Sequence, residues 1–335
     1  MENARVRNSC LDWIKGAACI FVVFMHCEFP GKLGVLVQCV SRFCVPFFFM
    51  VSGYFAWYEK PKRPRYAAKL RHVGCITLFA VLFYLCVNCL RSGFSWIRLT
   101  DWSSVNWLKF LLFNEPNFVA GQLWFLFALF YVYVLWAITN RLKLYRFAYP
   151  MIPVLLSAYL LLAQGAYCLG FRIPNYLYRN FLIEGFPLFL LGHLIHHNQT
   201  KIHISNRVFL TVLIASTLLC MVERKLFGRD FGIQVCTFPQ VISLFLLGCA
   251  NPQFGKGSLL ARFGLLYSMY IYILHPFVMV VVPALYRRLR LTDSVPAAYL
   301  QPILVLVGSV LLSAVVIWLK HILFPAPQKR QENPL

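Results

Sequence analysis

Acidic side chains are scarce in this chain: 11 Asp and Glu stand among 335 residues, and charged residues of both signs reach only 13%. A soluble domain carries about a quarter of its residues as charge, so this composition excludes one. No short apolar run followed by a small-residue cleavage site opens the sequence, which argues against a removed secretory leader. Asp12 and Lys15 instead begin an apolar stretch that runs on to Cys27 and is expected to stay as a first span. The glycine and proline pattern of the first half does not recur in the second, and this absence of a repeat weighs against an inverted-repeat transporter. The 12 cysteines also lack the spacing of a site: Cys19, Cys75, Cys86, Cys89, Cys220 and Cys249 lie inside apolar runs, where thiols behave as small hydrophobes. Cys86-x-x-Cys89 therefore reads as packing, and no metal is expected.

What the chain has instead is apolar length. Sixty per cent of its residues are hydrophobic and the mean hydropathy is +0.67, which describes an all-α integral membrane protein. A bilayer core of about 30 Å takes roughly 20 apolar residues per helix. Ten segments qualify, at 11–29, 38–58, 73–91, 122–140, 147–164, 180–196, 207–223, 234–250, 262–286 and 300–324. The fifth and eighth are interrupted by Pro150, Pro153 and Pro239. The expected organisation is one membrane domain over the whole chain: a cytoplasmic start at 1–10, a helical bundle at 11–324 and a cytoplasmic tail at 325–335.

The net charge of +21 falls in short clusters between apolar segments, as topology requires, so nucleic acid is not an expected partner. Lys60, Lys62, Arg63, Arg65, Lys69 and Arg71 follow the second segment and place that loop in the cytoplasm. Arg5, Arg7, Arg141, Lys143, Arg146, Lys201, Arg207, Lys329 and Arg330 share its side, giving both termini inside. Arg287, Arg288 and Arg290 fall outside, against the rule. The long external connection at 92–121 carries Trp96, Trp102 and Trp107 beside Asp101 and Ser103, and reads as an interfacial segment in preference to a substrate lid.

Against this background the ionisable residues within the spans stand out, because intramembrane charge is costly and faces a cavity or a partner. Lys15 and His26 are eleven residues apart, about three turns and about 16 Å along one helix face, with Asp12 a turn below. This gives a cation toward the cytoplasm and a base toward the outside. His275, in Leu274-His275-Pro276, comes at a similar depth, and Pro276 removes the donor that would have paired the Tyr272 carbonyl. Glu184 is the other apolar-flanked charge, pairing with Arg179 or lining a cavity. His193 and His321 read as packing residues, and Ser52-Gly53 as a small-residue helix crossing.

These residues resemble the membrane-bound acyltransferase family 3. The likeness begins with Leu11-Asp12-x-x-Lys15-Gly16 and the spacing to His26. It continues through Ser41-Arg42-Phe43-Cys44-Val45-Pro46 to Phe55, Leu123-Trp124-Phe125-Leu126 with Tyr131 and Tyr133, Phe186-Pro187 to Gly192, and Gly264 to Pro276. The segments are individually aromatic and aliphatic; their order along nearly the whole chain gives the likeness its specificity.

The resemblance implies an inner-membrane enzyme that takes an acyl group, usually acetyl, from cytoplasmic acyl-CoA to a hydroxyl of an envelope polysaccharide or lipid-linked sugar. It implies His26 as general base with His275 and Arg42 at the catalytic centre, and Lys15, Asp12, Lys69 and Arg71 about the acyl-CoA. Glu184, Trp124 and Gln122 fall toward the acceptor. The sequence departs from the family pattern in three places: Lys15 stands where arginine is common, the basic pair after the second helix is Lys69 with either His72 or Arg71, and Gln122 stands where histidine is frequent.

The chemistry fits these residue types. Passing an acyl group from a thioester to an alcohol requires the hydroxyl to lose its proton as it attacks, and histidine is suited to accept it. Lysine and arginine at the inner face suit the CoA phosphates. Arg42 suits the oxyanion or the sugar. The competing class is a secondary transporter or flippase that uses the same ionisable residues for proton coupling.

Overall fold

The computed structural model describes residues 7–57, 63–93, 95, 100, 102–116, 119–229, 231–291 and 294–323, with the side chains of 63–66 excepted. Arg5, Lys60, Lys62, Trp96, Asp101, Lys329 and Arg330, and the side chains of Arg63 and Arg65, lie outside the described residues, as does the tail at 325–335.

The described residues are helical and form no strand. We number the helices α1 Ser9–His26, α2 Gly31–Ser41, α3 Cys44–Tyr54, α4 Arg63–Ser92, α5 Ser104–Phe113, α6 Trp124–Arg141, α7 Tyr145–Cys168, α8 Phe181–Gly185 continuing as Phe186–Asn198, α9 Asn206–Phe227, α10 Thr237–Ala250, α11 Leu259–Arg288 and α12 Val295–Leu323. Among the described residues eight units are long and apolar enough to cross a membrane, α2 and α3 counting together as Gly31–Tyr54. This differs from the ten segments read from the sequence. The segments at 180–196 and 234–250 do form helices, but α8 carries Glu184, His193, His196 and His197, and α10 has only 14 residues. Fourteen residues rise about 21 Å, short of the hydrocarbon core. Between 231 and 236 the chain stays in turns that bond to α7: the Tyr159 hydroxyl donates to Phe231 O and accepts from Ile233 N.

Proline shapes the second span. Pro46 lacks the N–H that would reach back to Arg42 O, and the helix breaks at Arg42-Phe43 between α2 and α3. Pro150 and Pro153 sit at the start of Met151–Leu160, where the missing donors cost nothing, so that helix survives them. The 92–121 connection contributes α5, none of whose residues is buried; Val105, Trp107, Leu108, Leu111 and Leu112 are exposed. Exposed apolar residues also recur every four positions along α9 (Leu210, Ile214, Leu218, Val222) and α12 (Ile303, Val307, Leu311, Val315). A stripe of that length facing outward is what lipid covers.

Two backbone crossings bring the site helices together. A Cβ on Gly53 would run into the Phe189 carbonyl, and one on Gly192 into the Met50 carbonyl, so α3 and α8 meet main chain to main chain. Gly16 and Gly264 do the same for α1 and α11, against the Leu260 and Asp12 carbonyls. Small residues allow such approach where the surroundings offer no hydrophobic drive between helices. The Ser52-Gly53 reading as a crossing is thus borne out.

Candidate active site

Crossing α1 against α11 at Gly16 and Gly264 fixes how the two helices continue outward, and about two to three turns on they bring His26 against His275. The rings stack with centroids 5.2 Å apart and an interplanar angle of 27°. Their surroundings differ. His26 ends α1 and is exposed, whereas His275 is fully buried. Nδ1 of His275 lies 3.1 Å from the Ile271 carbonyl. A carbonyl only accepts, so Nδ1 bears the proton and Nε2 keeps the lone pair. Nε2 is buried and has no hydrogen-bond partner.

The helix is opened at this point by Pro276, as its position four residues after Tyr272 requires. The bond from His275 to Ile271 O lies one residue before the Tyr272 carbonyl, which Pro276 leaves without a helical donor. One residue on, the Tyr84 hydroxyl from α4 donates to Ile273 O at 2.7 Å. The main chain before Pro276 is thus bonded by the His275 ring and by Tyr84 of α4, and the ring is held in one orientation.

At the Lys15 end of the bundle, a cavity of about 450 Å³ lies among α1, α3, α4, α6 and α11. Lys15, Ser52, Lys69, His72, Tyr133, Ser268 and Tyr272 contribute its polar groups, and Phe48, Phe55, Phe125 and Leu129 much of its apolar wall. The helical spacing of Lys69 and His72 puts both on the cavity face, whereas Arg71 is exposed and does not line it. Lys69 Nζ donates to Phe55 O at 2.5 Å. Lys15 is paired to Asp12 at 2.6 Å, and Asp12 also takes Arg7 at 2.7 Å. Asp12 is thus a positioning carboxylate beneath Lys15. Ser52 Oγ donates to Phe48 O at 2.8 Å along its own helix, the bond of a packing serine.

Tyr272 joins the cavity to the histidines. Its ring lies 6.1 Å from that of His275 and 5.4 Å from that of Phe125, and its hydroxyl donates to Gln122 O at 2.5 Å. Gln122 therefore enters the site through its main chain. Trp124, two residues on, is buried, and the Arg179 guanidinium covers its ring at 4.8 Å. Asn114 braces this arrangement: Nδ2 donates to Trp124 O at 3.2 Å and Oδ1 accepts from Phe181 N at 2.7 Å. Asn114 is itself fully buried and left-handed at φ 51°, closing α5. Asn180 Oδ1 caps α8 by accepting from Leu182 N and Ile183 N at 3.0 Å.

Glu184 lies in the wide first turn of α8, 2% exposed, with Oε2 lacking a partner. The sequence offered Arg179 as its ion-pair partner; among the described residues they form no ion pair, although the Arg179 charge acts on both Glu184 and His26. Arg42 goes elsewhere. Its Nη1 donates to Gly232 O at 3.0 Å, and Arg224 and Tyr159 are its charged and phenolic neighbours. It joins the α2–α3 break to the loop before α10. The histidines are not part of that group.

Of the residues singled out in the sequence, the fold brings His26 to His275, Asp12 to Lys15, and Lys15 and Lys69 to one cavity. Sequence reasoning missed Arg179 as a group beside the histidines, Tyr272 as a cavity side chain and Asn114 as the brace. The three-residue step from Tyr272 to His275 was a usable signal for Tyr272. Nothing local marks Arg179 or Asn114, whose partners lie on other helices.

The family model described as an acyltransferase domain, that of acyltransferase 3, matches residues 8–322. No curated protein and no solved structure matches the chain.

Proposed function

The chain belongs to the acyltransferase 3 family, and on that premise we propose that it moves an acyl group, acetyl in the first instance, from cytoplasmic acyl-CoA to a hydroxyl of an envelope polysaccharide or lipid-linked sugar. The observation that carries this reading is the alignment of the basic cavity with the histidine pair through Tyr272.

In this reading both termini face the cytoplasm of a cell whose inner membrane holds the protein. Lys15, Lys69 and His72 meet the phosphates of acyl-CoA at the mouth of the cavity, and the thioester arm runs along its aromatic wall toward Tyr272. About 450 Å³ falls within the ordinary range of ligand pockets. The acceptor hydroxyl approaches from outside, where His26 is exposed. Its oxygen attacks the thioester carbonyl, His26 takes the proton, the carbon–sulfur bond breaks and the CoA thiolate leaves toward the cytoplasm to be protonated there. His275, with its tautomer fixed by the main chain, holds the His26 ring and offers the Nε2 lone pair beside it. Direct transfer of this kind needs no acyl-enzyme. Glu184, Trp124 and Gln122 shape the acceptor side. Arg42 serves the fold by holding the 231–236 turns.

The test is reconstitution of the full chain in liposomes with labelled acetyl-CoA inside and a lipid-linked glycan. Label on the glycan with release of free CoA is the expected result. Movement of a polar solute without consumption of acyl-CoA would establish the transporter instead.

A further inference from the structure

Arg179 and Arg229 are cations that stand over aromatic rings, and the Arg179 charge also acts on the buried Glu184. Neither takes part in an ion pair among the described residues, and both lie at the end of the bundle that the proposed topology puts outside, where basic residues are not favoured by insertion. Arg287, Arg288 and Arg290 are at that end as well, so topology does not account for the charge there. Both guanidiniums stand over aromatic rings. Arg179 covers Trp124 at 4.8 Å, and Arg229 stands 5.7 Å from the Tyr167 ring and 5.8 Å from that of Phe231. Cation–π attraction to a ring uses none of the five guanidinium N–H donors on an acid, so they can take a planar or tetrahedral oxyanion.

The two arginines belong to one structure. Phe231 O accepts from Tyr159, the Tyr159 ring packs at 5.3 Å on Tyr178, and Tyr178 precedes Arg179. Both arginine charges act on the Tyr178 hydroxyl. On its other flank Arg179 is within the field of His26. Asn180 Nδ2 donates to Tyr176 O and Leu177 O before it, and Asn114 Oδ1 accepts from Phe181 N after it, so its position is built by the fold.

We propose that Arg179 and Arg229 form an oxyanion-recognition site at the outer mouth beside His26, so that the acceptor is an acidic glycan, one carrying a phosphate or carboxylate near the hydroxyl that is acylated. This rests on the acyltransferase reading and narrows its substrate. It also gives Trp124 a role: its ring is covered by the guanidinium on one face and acts as the support on which the anion-binding group is set.

The experiment compares three acceptors with the reconstituted full chain and acetyl-CoA: a sugar linked through phosphate to a polyprenyl lipid, a glycan bearing a uronic carboxylate, and its neutral counterpart. The variants are R179K, R179Q, R229Q and the double glutamine, with R172Q, an exposed arginine of the same connection, as the charge control. The expected result is a KM for an acidic acceptor that rises at least about tenfold in R179Q and R229Q, the scale of one charge-assisted hydrogen bond. The neutral acceptor should respond much less, and R172Q should match the parent. R179K keeps the charge and stem and covers the case in which R179Q does not fold; a rise smaller than that of R229Q but still specific to acidic acceptors supports the site. A response to only one of the two acidic probes identifies phosphate or carboxylate as the anion. Equal use of neutral and acidic acceptors by the parent, or equal losses on both in the variants, overturns the proposal while the acyltransferase reading stands. Absence of transfer to any acceptor with acetyl-CoA left unconsumed fails that reading itself.

Discussion

His26 and His275 stack face to face at 5.2 Å, yet one ring is exposed and the other is fully buried. That asymmetry separates catalysis from stability in a way mutation can read. His26→Ala removes the proton acceptor and should lower transfer about 10²–10⁴-fold, the range of a lost general base. The melting temperature in detergent should hardly move, since the side chain is exposed. His275→Ala should lose transfer and also about 2–4 kcal/mol of stability, because it empties a packed site. Full transfer by His26→Ala would sink the mechanism.

The cavity cations make a kinetic prediction. Lys15 and Lys69 line the cavity and Arg71 does not. Lys15→Met and Lys69→Met should each raise the KM for acyl-CoA about tenfold or more with kcat largely kept, as loss of a charge-assisted contact made in both ground and transition states requires. Added salt should narrow the gap. Arg71→Met should leave the KM unchanged. Asp12→Asn should raise it too, because Lys15 then loses the carboxylate that fixes it at 2.6 Å. A KM insensitive to Lys15 would remove the donor from this cavity.

Much of this layout was legible in the sequence, for a physical reason. Apolar length marks helices whatever their neighbours, and an eleven-residue interval puts Lys15 and His26 on one face before any tertiary contact is known. Depth from a span's start then matched His26 with His275. What was not legible depends on contacts between helices. Arg42 reads as a contact for the oxyanion or the sugar until Gly232 is found beside it. Arg179 reads as a partner for Glu184 until Trp124 is found beneath it. The wide turns at Leu161–Gly165, Phe181–Gly185 and Phe263–Tyr267 break the 3.6-residue period locally, and no composition signal announces them.

The glycine crossings predict where the bundle tolerates no methyl group. Gly53→Ala and Gly192→Ala would each press a Cβ into a backbone carbonyl of the facing helix, as would Gly264→Ala against α1. No rotamer change relieves a clash with main chain, so the loss should reach or exceed the about 1–3 kcal/mol of ordinary overpacking. Gly121→Ala, with open space at its Cβ, is the control and should melt with the parent. Thermal unfolding of the detergent-solubilised variants measures this. Parent-like melting of Gly53→Ala and Gly192→Ala together would mean that α3 and α8 do not cross main chain to main chain.

Cysteine exposure tests the orientation on which the donor assignment depends. Cys168 is exposed at the end of α7, on the side of the bundle that holds His26. Cys75 and Cys86 are also exposed, but along the middle of α4, where lipid would cover them and the reactive thiolate does not form. A membrane-impermeant maleimide applied to intact cells should therefore label the chain at Cys168, and Cys168→Ser should abolish the signal. If labelling instead requires permeabilised cells, the bundle is inverted. Lys15 and Lys69 would then open their cavity to the outside. Acyl-CoA is multiply charged and does not cross a bilayer, so a cavity facing away from the cytoplasm would have no acyl-CoA to bind. Cys168 labelling thus decides whether the cavity cations can serve the donor at all.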